Sequence, residues 1–179
     1  MEQKSIFKSS IWKVFEIFCD EPLKIHYIKE ISKKINLAHT SVKLHILALE
    51  SQGFLTKKKG ERFFGYLANR DNPNFLFYKK IFNLIKIKES QLIDEIVNSI
   101  YPNAIILYGS YSKGEDVEES DIDLFIITKV KKEIDVKKFE AKLKRKIHIF
   151  KDNNLNKLNL DLKSEIINGD VLYGYLKYD

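Results

Sequence analysis

Residues 107–126 read LYGSYSKGEDVEESDIDLFI, and their pattern predicts the local fold of the C-terminal half of the chain. One apolar run, residues 104–108, ends at Gly109-Ser110, and a second, residues 124–127, follows Asp121-Ile-Asp123. Short apolar runs that flank a polar segment are typical of two buried strands with a crossover between them. The residues that bear chemistry therefore lie at the strand ends.

Both strand ends carry residues suited to binding phosphate or metal. Gly109 lets the backbone approach a ligand closely. Ser110, a residue type favoured at helix N-caps, is predicted to start a short helix whose N–H groups and dipole attract a phosphate. Asp121 and Asp123 share one face of a strand, while Ile122 points into the core. Two carboxylates so near each other repel, so they stay ionised most easily when a cation lies between them. Their hard oxygen atoms suit Mg²⁺.

These motifs together resemble a known family. The chain is similar to the DNA polymerase beta-like nucleotidyltransferase superfamily, above all to its minimal nucleotidyltransferases, which combine a Gly-Ser turn, a ten-residue spacer and an Asp-x-Asp strand start. Lys113-Gly114 stands where these proteins usually have Arg-Gly, and Ser120 precedes the first Asp as it often does there. Residues 166–174 look like their closing segment, so the resemblance covers roughly residues 103–174.

The resemblance implies binding of a nucleoside triphosphate, with ATP favoured, together with Mg²⁺ or Mn²⁺. It implies that Asp121 and Asp123 are catalytic residues that hold the metal, and that Gly109, Ser110 and Lys113 bind the nucleotide phosphates. The expected reaction is transfer of a nucleotidyl group to a hydroxyl group of an RNA, a protein or a small molecule. Minimal nucleotidyltransferases often act as antitoxins that modify a partner toxin, so a toxin-like protein is an expected partner.

The third carboxylate of the family is missing from the position where it is expected. Family members that catalyse transfer usually carry it on the next strand, and here residues 146–150 place His148 there. A neutral imidazole can accept a proton, which would make His148 a catalytic residue. A structural role for this histidine is the alternative, and nucleotide binding without turnover stays open.

The first 72 residues predict a winged helix-turn-helix domain. Apolar residues recur at helical spacing near residues 11–18, 25–35 and 39–50, and Ser9 or Ser10 is a suitable cap for the first helix. Residues 54–67 then read as strand, charged glycine turn and strand, the pattern of a β-hairpin wing. This order of elements resembles the winged helix-turn-helix domains of microbial regulators.

A winged helix would place its third helix in the major groove of duplex DNA. Candidate contacts are Thr40, Ser41, Lys43 and His45 from that helix, and Lys57, Lys58, Lys59 and Arg62 from the wing to the phosphates. A solvated lysine-rich strand edge, or a protein-docking module, is the alternative. The charge distribution favours DNA, because residues 1–72 carry 13 Lys and Arg against 8 Asp and Glu, whereas residues 103–179 carry 14 of each.

Length allows one large domain or two small ones, and composition argues against wholesale disorder. The chain has 179 residues, 44% of them hydrophobic, and a net charge of +6. Cys19 is the only cysteine, so no intrachain disulfide can form. No stretch approaches the ~20 apolar residues of a membrane span, so we expect a cytoplasmic protein with no membrane partner.

We predict a winged helix at residues 1–72, a linker helix at 73–102 and a nucleotidyltransferase-like domain with a small mixed sheet at 103–179. A broad apolar stripe over residues 75–100 predicts one long helix that bridges the domains or forms a homodimer interface. Two rival functions remain. One is a DNA-binding transcriptional regulator whose C-terminal domain binds a nucleotide without catalysis, and the other is an interaction scaffold with no nucleotide role.

Overall fold

The computed structural model describes residues 9–176, and the chain divides into two compact units, Met1–Tyr78 and Lys79–Asp179. Helices and small sheets together confirm the predicted α+β class. Among the described residues, no helix is long and apolar enough to cross a membrane.

The N-terminal unit consists of three helices followed by an antiparallel hairpin. Its elements are α1 (Ser10–Asp20), α2 (Ile28–Ile35), α3 (His39–Ser51), β1 (Leu55–Lys59) and β2 (Phe64–Ala68). Ser9 caps α1, because its hydroxyl accepts a hydrogen bond from the Trp12 backbone N–H at 3.3 Å. Phe18, Ile31, Val42 and Ile46 are fully buried and join the three helices in one core. This is the predicted order of elements, whereas assignment to the winged helix class stays a prediction.

The start of α2 differs from the sequence prediction, which began this helix at residue 25. His26 is instead extended, and it exchanges two backbone hydrogen bonds of 2.8 and 2.9 Å with Tyr66 of β2. The segment before α2 therefore extends the hairpin by one bridge. Its backbone groups are satisfied by the sheet and not by a helical turn.

The prediction of one long helix over residues 75–100 was wrong, because the segment forms two helices. These are α4 (Pro73–Ser90) and α5 (Leu92–Ile100), and Gln91 between them has a left-handed φ of 68°. The buried Ser90 hydroxyl donates to Ile87 O and accepts from the Leu92 N–H. A serine that bonds the nearby backbone in this way gives the chain an alternative to continued helix. The two compact units divide within α4, between Tyr78 and Lys79.

The C-terminal unit is built on a mixed four-stranded sheet in the order β5-β4-β3-β6. Strands β4 and β5 are parallel, and the other neighbours are antiparallel. The strands are β3 (Ala104–Tyr108), β4 (Ile122–Ile127), β5 (Ile147–Asp152) and β6 (Asp170–Gly174). The remaining elements are α6 (Gly109–Lys113), α7 (Lys137–Leu143), a 3-10 helix (Leu155–Lys157) and α8 (Leu160–Ile167).

The two faces of this sheet bury different residues, because side chains alternate along a strand. Ile105, Leu107, Ile122 and Leu124 face a core that includes residues of α5 and α7. Ala104, Ile106 and Phe125 face the opposite way and pack against Ile166 of α8, and we call this side the α8 face. Tyr108, Asp123 and His148 follow the same alternation. They therefore lie on the α8 face, at one end of the sheet.

Candidate active site

Three side chains stand next to one another across the strands at one end of the α8 face. Tyr108 of β3 pairs with Asp123 of β4, which in turn pairs with His148 of β5. Asp121 comes immediately before β4. The sheet register therefore sets Asp123 beside His148, and Asp121 precedes them at the start of β4.

The His148 ring lies beside both carboxylates. Its Nε2 is 3.6 Å from Asp121 Oδ2, and its Nδ1 is 3.6 Å from Asp123 Oδ1. These distances exceed those of hydrogen bonds. Because one ring reaches both groups, Asp121 and Asp123 flank the same space, as their spacing predicted.

Gly109 brings the end of β3 against Asp123. Its φ is +73°, and a Cβ atom added there would lie 2.7 Å from Asp123 Oδ2. Any other residue would both strain the backbone and displace the carboxylate. Glycine is thus required here for conformation as well as for space.

The helix that follows Gly109 differs in detail from the prediction. Helix α6 begins at Gly109 itself, and the N-cap position is taken by Tyr108, which makes no side-chain capping bond. Ser110 is therefore not the N-cap residue, because the left-handed glycine starts the turn one residue earlier. Lys113 is exposed in the last turn of α6. Tyr111 of the same helix is 2% exposed and belongs to the core.

Excess negative charge surrounds Asp123. Partial burial raises the pKa of Asp123 above its ordinary value of 3.8, the His148 ring lowers it, and the carboxylates of Asp121 and Glu165 raise it further. Burial also raises the pKa of Tyr108, and the charges of Asp123 and Glu165 add to that rise. A cation beside Asp123 would relieve this repulsion.

Glu165 acts on the site through its charge, which the sequence did not reveal. It lies on α8 between Leu162 and Ile166, both of which pack on the α8 face, and its charge acts on Asp123 and Tyr108. A third carboxylate thus stands near the site, although it comes from a helix and not from β5. Only the packing of α8 brings it there, so no spacing rule within the motif could have found it.

A cavity of about 560 Å³ borders Asp121. Its lining combines acidic and basic side chains: Glu118, Glu119, Ser120, Asp121, Glu140, Lys144, Arg145 and Lys146. None of Gly109, Ser110 and Lys113, the predicted phosphate ligands, lines it. The basic run at residues 144–146 was visible in the sequence, but only the fold places it beside Asp121.

A buried ionic cluster supports the loop between α6 and β4. Lys79 and Asp116 are each 1% exposed, and Lys79 Nζ lies 2.8 Å from Asp116 Oδ1 and also bonds Asp116 O. Asn83 donates to Asp116 Oδ1 at 2.7 Å and to Tyr111 O at 2.9 Å. Arg145 lies 3.9 Å from the other carboxylate oxygen. Helix α4 therefore holds the chain at Tyr111 and Asp116, which precede Asp121.

A family comparison covers the sheet of the C-terminal unit and the residues at its end. Residues 90–176 match the model of the nucleotidyltransferase domain family. The match supports the predicted nucleotidyltransferase superfamily for this segment. It begins after the three N-terminal helices and the hairpin and does not bear on them. No curated protein and no solved structure gave a significant match.

The segment that matches the family model offers oxygen donors that fit a divalent cation in part. Among residues 9–176, no group of three or more His, Cys, Asp or Glu side chains is arranged to hold a metal ion. Asp121 and Asp123 nevertheless present oxygen donors to one space. Mg²⁺ is commonly held by one or two carboxylates and completed by substrate phosphates and water. The pair fits an ion that arrives with a nucleoside triphosphate.

Residues predicted to contact DNA differ in how the N-terminal unit presents them. Thr40 and Lys43 of α3 are exposed, and Ser41 is half-buried. His45 is turned toward α1, where its Nε2 lies 2.7 Å from Ser10 Oγ, so its imidazole is already engaged within the unit. Lys57, Lys58, Lys59 and Arg62 are all exposed on the hairpin.

Proposed function

We propose that the protein binds a nucleoside triphosphate with Mg²⁺ or Mn²⁺ and transfers its nucleotidyl group to a hydroxyl acceptor. One observation carries the proposal. Asp121 and Asp123 both contact His148 at 3.6 Å, and Asp123 lies directly against Gly109. The family match to residues 90–176 supports the same chemistry in general terms.

Different residues of the site bind the cation and the phosphate groups. Asp121 and Asp123 hold the cation, which when bound would neutralise phosphate charge and polarise the phosphorus centre. Gly109 and Ser110 offer backbone N–H groups to phosphate oxygens, and Lys113 adds a positive charge. Lys144 and Lys146 line the cavity beside Asp121 and supply further charge for the triphosphate.

His148 and Glu165 are the two groups that can take the place of the missing strand carboxylate. In its neutral form His148 can accept the proton of an attacking hydroxyl, because one ring nitrogen of a neutral imidazole is an acceptor. Glu165 supplies negative charge that draws a cation toward Asp123. Proton acceptance and cation attraction are thus divided between two side chains.

The experiment uses nucleoside triphosphates labelled at the α-phosphate. The full chain is incubated with each nucleotide, Mg²⁺ or Mn²⁺, and RNA, protein and small-molecule acceptors, including the product of the adjacent gene. We expect label on one acceptor class, and loss of transfer by at least about a hundredfold in Asp121→Asn and in Asp123→Asn. Transfer to the adjacent gene product would support a toxin–antitoxin pair.

Asp152→Asn is the matched control. Asp152 ends β5 four residues beyond His148, which places it about 13 Å along the strand from the site. The amide oxygen of the variant can still accept the hydrogen bond from the Asn154 N–H. Transfer that survives in Asp121→Asn and Asp123→Asn as it does in Asp152→Asn would contradict the proposal.

A second function is favoured by the replacement of the strand carboxylate with His148. In this alternative the protein is a DNA-binding transcriptional regulator, and its nucleotidyltransferase-like domain binds nucleotide without catalysis. The exposed cations of the hairpin provide the DNA contacts. Nucleotide binding by calorimetry, together with no label on any acceptor, would support the regulator and exclude the transferase.

A further inference from the structure

The tip of the β1–β2 hairpin exposes two aromatic rings. Phe63 is 73% exposed and Phe64 is 61% exposed, whereas Phe15, Phe18, Phe54 and Phe75 of the same unit are buried. Leaving two adjacent phenylalanines in water forgoes the free energy that their burial would provide. The hairpin tip thus carries an apolar surface that the fold of the unit does not use.

Positive charge surrounds these rings. Lys57 Nζ lies 5.1 Å from the centroid of the Phe64 ring, and Lys59 is the direct cross-strand partner of Phe64. Alternation along the strands puts Lys57, Lys59 and Phe64 on one face of the hairpin. Arg62 adds another exposed cation next to Phe63. The rings and the cations form one surface, which we call the aromatic-basic tip.

The aromatic-basic tip is held in place by the unit beneath it. A Cβ atom at Gly60 would lie 2.1 Å from the Tyr27 hydroxyl, so the phenol occupies the space that glycine leaves open. Gly60 N–H donates to Phe63 O at 2.9 Å and closes the turn. The His26–Tyr66 bridge holds β2 from its other edge. The backbone that carries the rings is therefore preorganised, which reduces the entropy lost on binding.

We propose that the aromatic-basic tip binds single-stranded nucleic acid, with unpaired bases stacked on Phe63 and Phe64 and phosphates placed near Lys57, Lys59 and Arg62. Exposed rings flanked by cations match the chemistry of unpaired bases joined by phosphates. Duplex DNA would engage the lysines alone, because its bases are already stacked. The site does not depend on nucleotidyl transfer by the C-terminal unit.

Basic and aromatic residues together can also bind a membrane surface, but the sequence of the turn disfavours that ligand. Glu61 stands between Gly60 and Arg62 at the tip and is exposed. Insertion of the rings would bring this carboxylate to an anionic lipid surface, where it is repelled. In a nucleic acid complex the Glu61 carboxylate can remain in solvent while the rings stack on bases.

Fluorescence anisotropy of the full chain tests the proposal. The probes are labelled oligo-dT and oligo-U of about 12 nucleotides, a length within known single-strand site sizes, and a duplex of equal length. We expect Phe63→Ala with Phe64→Ala to weaken single-strand binding by about tenfold or more, and duplex binding much less. Phe64→Trp should retain binding, because it keeps a stacking surface. The two oligonucleotides distinguish DNA from RNA.

Phe77→Ala is the matched control, because Phe77 is a 59% exposed phenylalanine on α4, outside the hairpin. It should leave all affinities unchanged. Equal single-strand affinity in the wild type and the double alanine variant would overturn the proposal, as would absence of single-strand binding by the wild type at low salt. Binding to anionic vesicles that needs both rings, without binding to either oligonucleotide, would assign the tip to a membrane surface instead.

Discussion

The folded state favours the protonated form of Asp123, whereas cation binding needs its ionised form. Burial, Asp121 and Glu165 raise its pKa, so its proton is held more tightly in the folded chain than in the unfolded chain. As the pH rises from below 3.8 through the folded pKa, the folded state loses stability relative to the unfolded state. Above that range the ionised side chain is a net cost to folding, and a bound cation would offset it.

Asp123→Asn should therefore stabilise the protein without metal at pH 7. We expect the melting temperature to rise by a few degrees, since about 1 kcal/mol shifts it by roughly 2–4 °C at this chain size. The gain should shrink as the pH falls through the raised pKa of Asp123, because the wild-type carboxyl group is then protonated. Thermal melts across pH measure this, with Asp152→Asn as the control. A lower melting temperature at pH 7 would contradict the charge argument.

Glu165→Gln tests whether α8 contributes to cation binding. Removing a negative charge near Asp123 should weaken Mn²⁺ binding, with or without nucleotide, by about threefold to tenfold at surface-like screening. Titration calorimetry measures the affinity. Asp161→Asn on the same helix is the control and should have little effect. Equal affinities in the two variants would exclude a role for Glu165.

At the scale of elements, the buried contact between Lys79 and Asp116 joins α4 to the loop before β4. Removing one member of a buried ion pair typically costs about 3–5 kcal/mol. Lys79→Met should cause a loss toward the lower end of this range in the free energy of unfolding by urea, because Asn83 and Arg145 still lie beside the Asp116 carboxylate. Lys79→Met with Asp116→Asn should lose less than the two single variants summed, by about 1 kcal/mol or more. Strict additivity would show that the pair is not coupled.

The junction between α4 and α5 contains a residue in an unfavourable conformation. Gln91 has a φ of 68°, a region that costs a residue with a side chain about 1–2 kcal/mol and costs glycine little. Gln91→Gly should therefore raise the free energy of unfolding by up to about 1 kcal/mol. Gln91→Ala is the control and should give no gain, because alanine keeps a Cβ atom. Destabilisation by glycine would show that the glutamine side chain stabilises the junction.

At the scale of the whole molecule, most of the excess positive charge belongs to the first 72 residues. If the hairpin lysines contact duplex phosphates, the slope of log affinity against log salt should decrease by about one for each lysine replaced. Replacing Lys57, Lys58 and Lys59 with Gln should thus reduce the slope by roughly two to three. Replacing the exposed Lys129, Lys131 and Lys132 of the C-terminal unit is the matched control. Equal slopes in both triple variants would remove the hairpin from the DNA contact.

The sequence by itself determined those features that depend on local periodicity and short spacing. Apolar runs fixed the motif strands, alternation placed Asp121 and Asp123 on one side, and the motif predicted the domain family that matches residues 90–176. These features follow from side-chain geometry within a few residues, which a single strand or turn already imposes.

Only the tertiary structure decided which distant residues meet at the site. Parallel pairing of β4 with β5 set His148 beside Asp123, and packing of α8 brought Glu165 near both Asp123 and Tyr108. The break at Gln91 was hidden because the buried Ser90 hydroxyl interrupts a helix whose apolar pattern continues past it. Such outcomes depend on contacts between segments far apart in the chain, and periodicity within one segment carries no information about them.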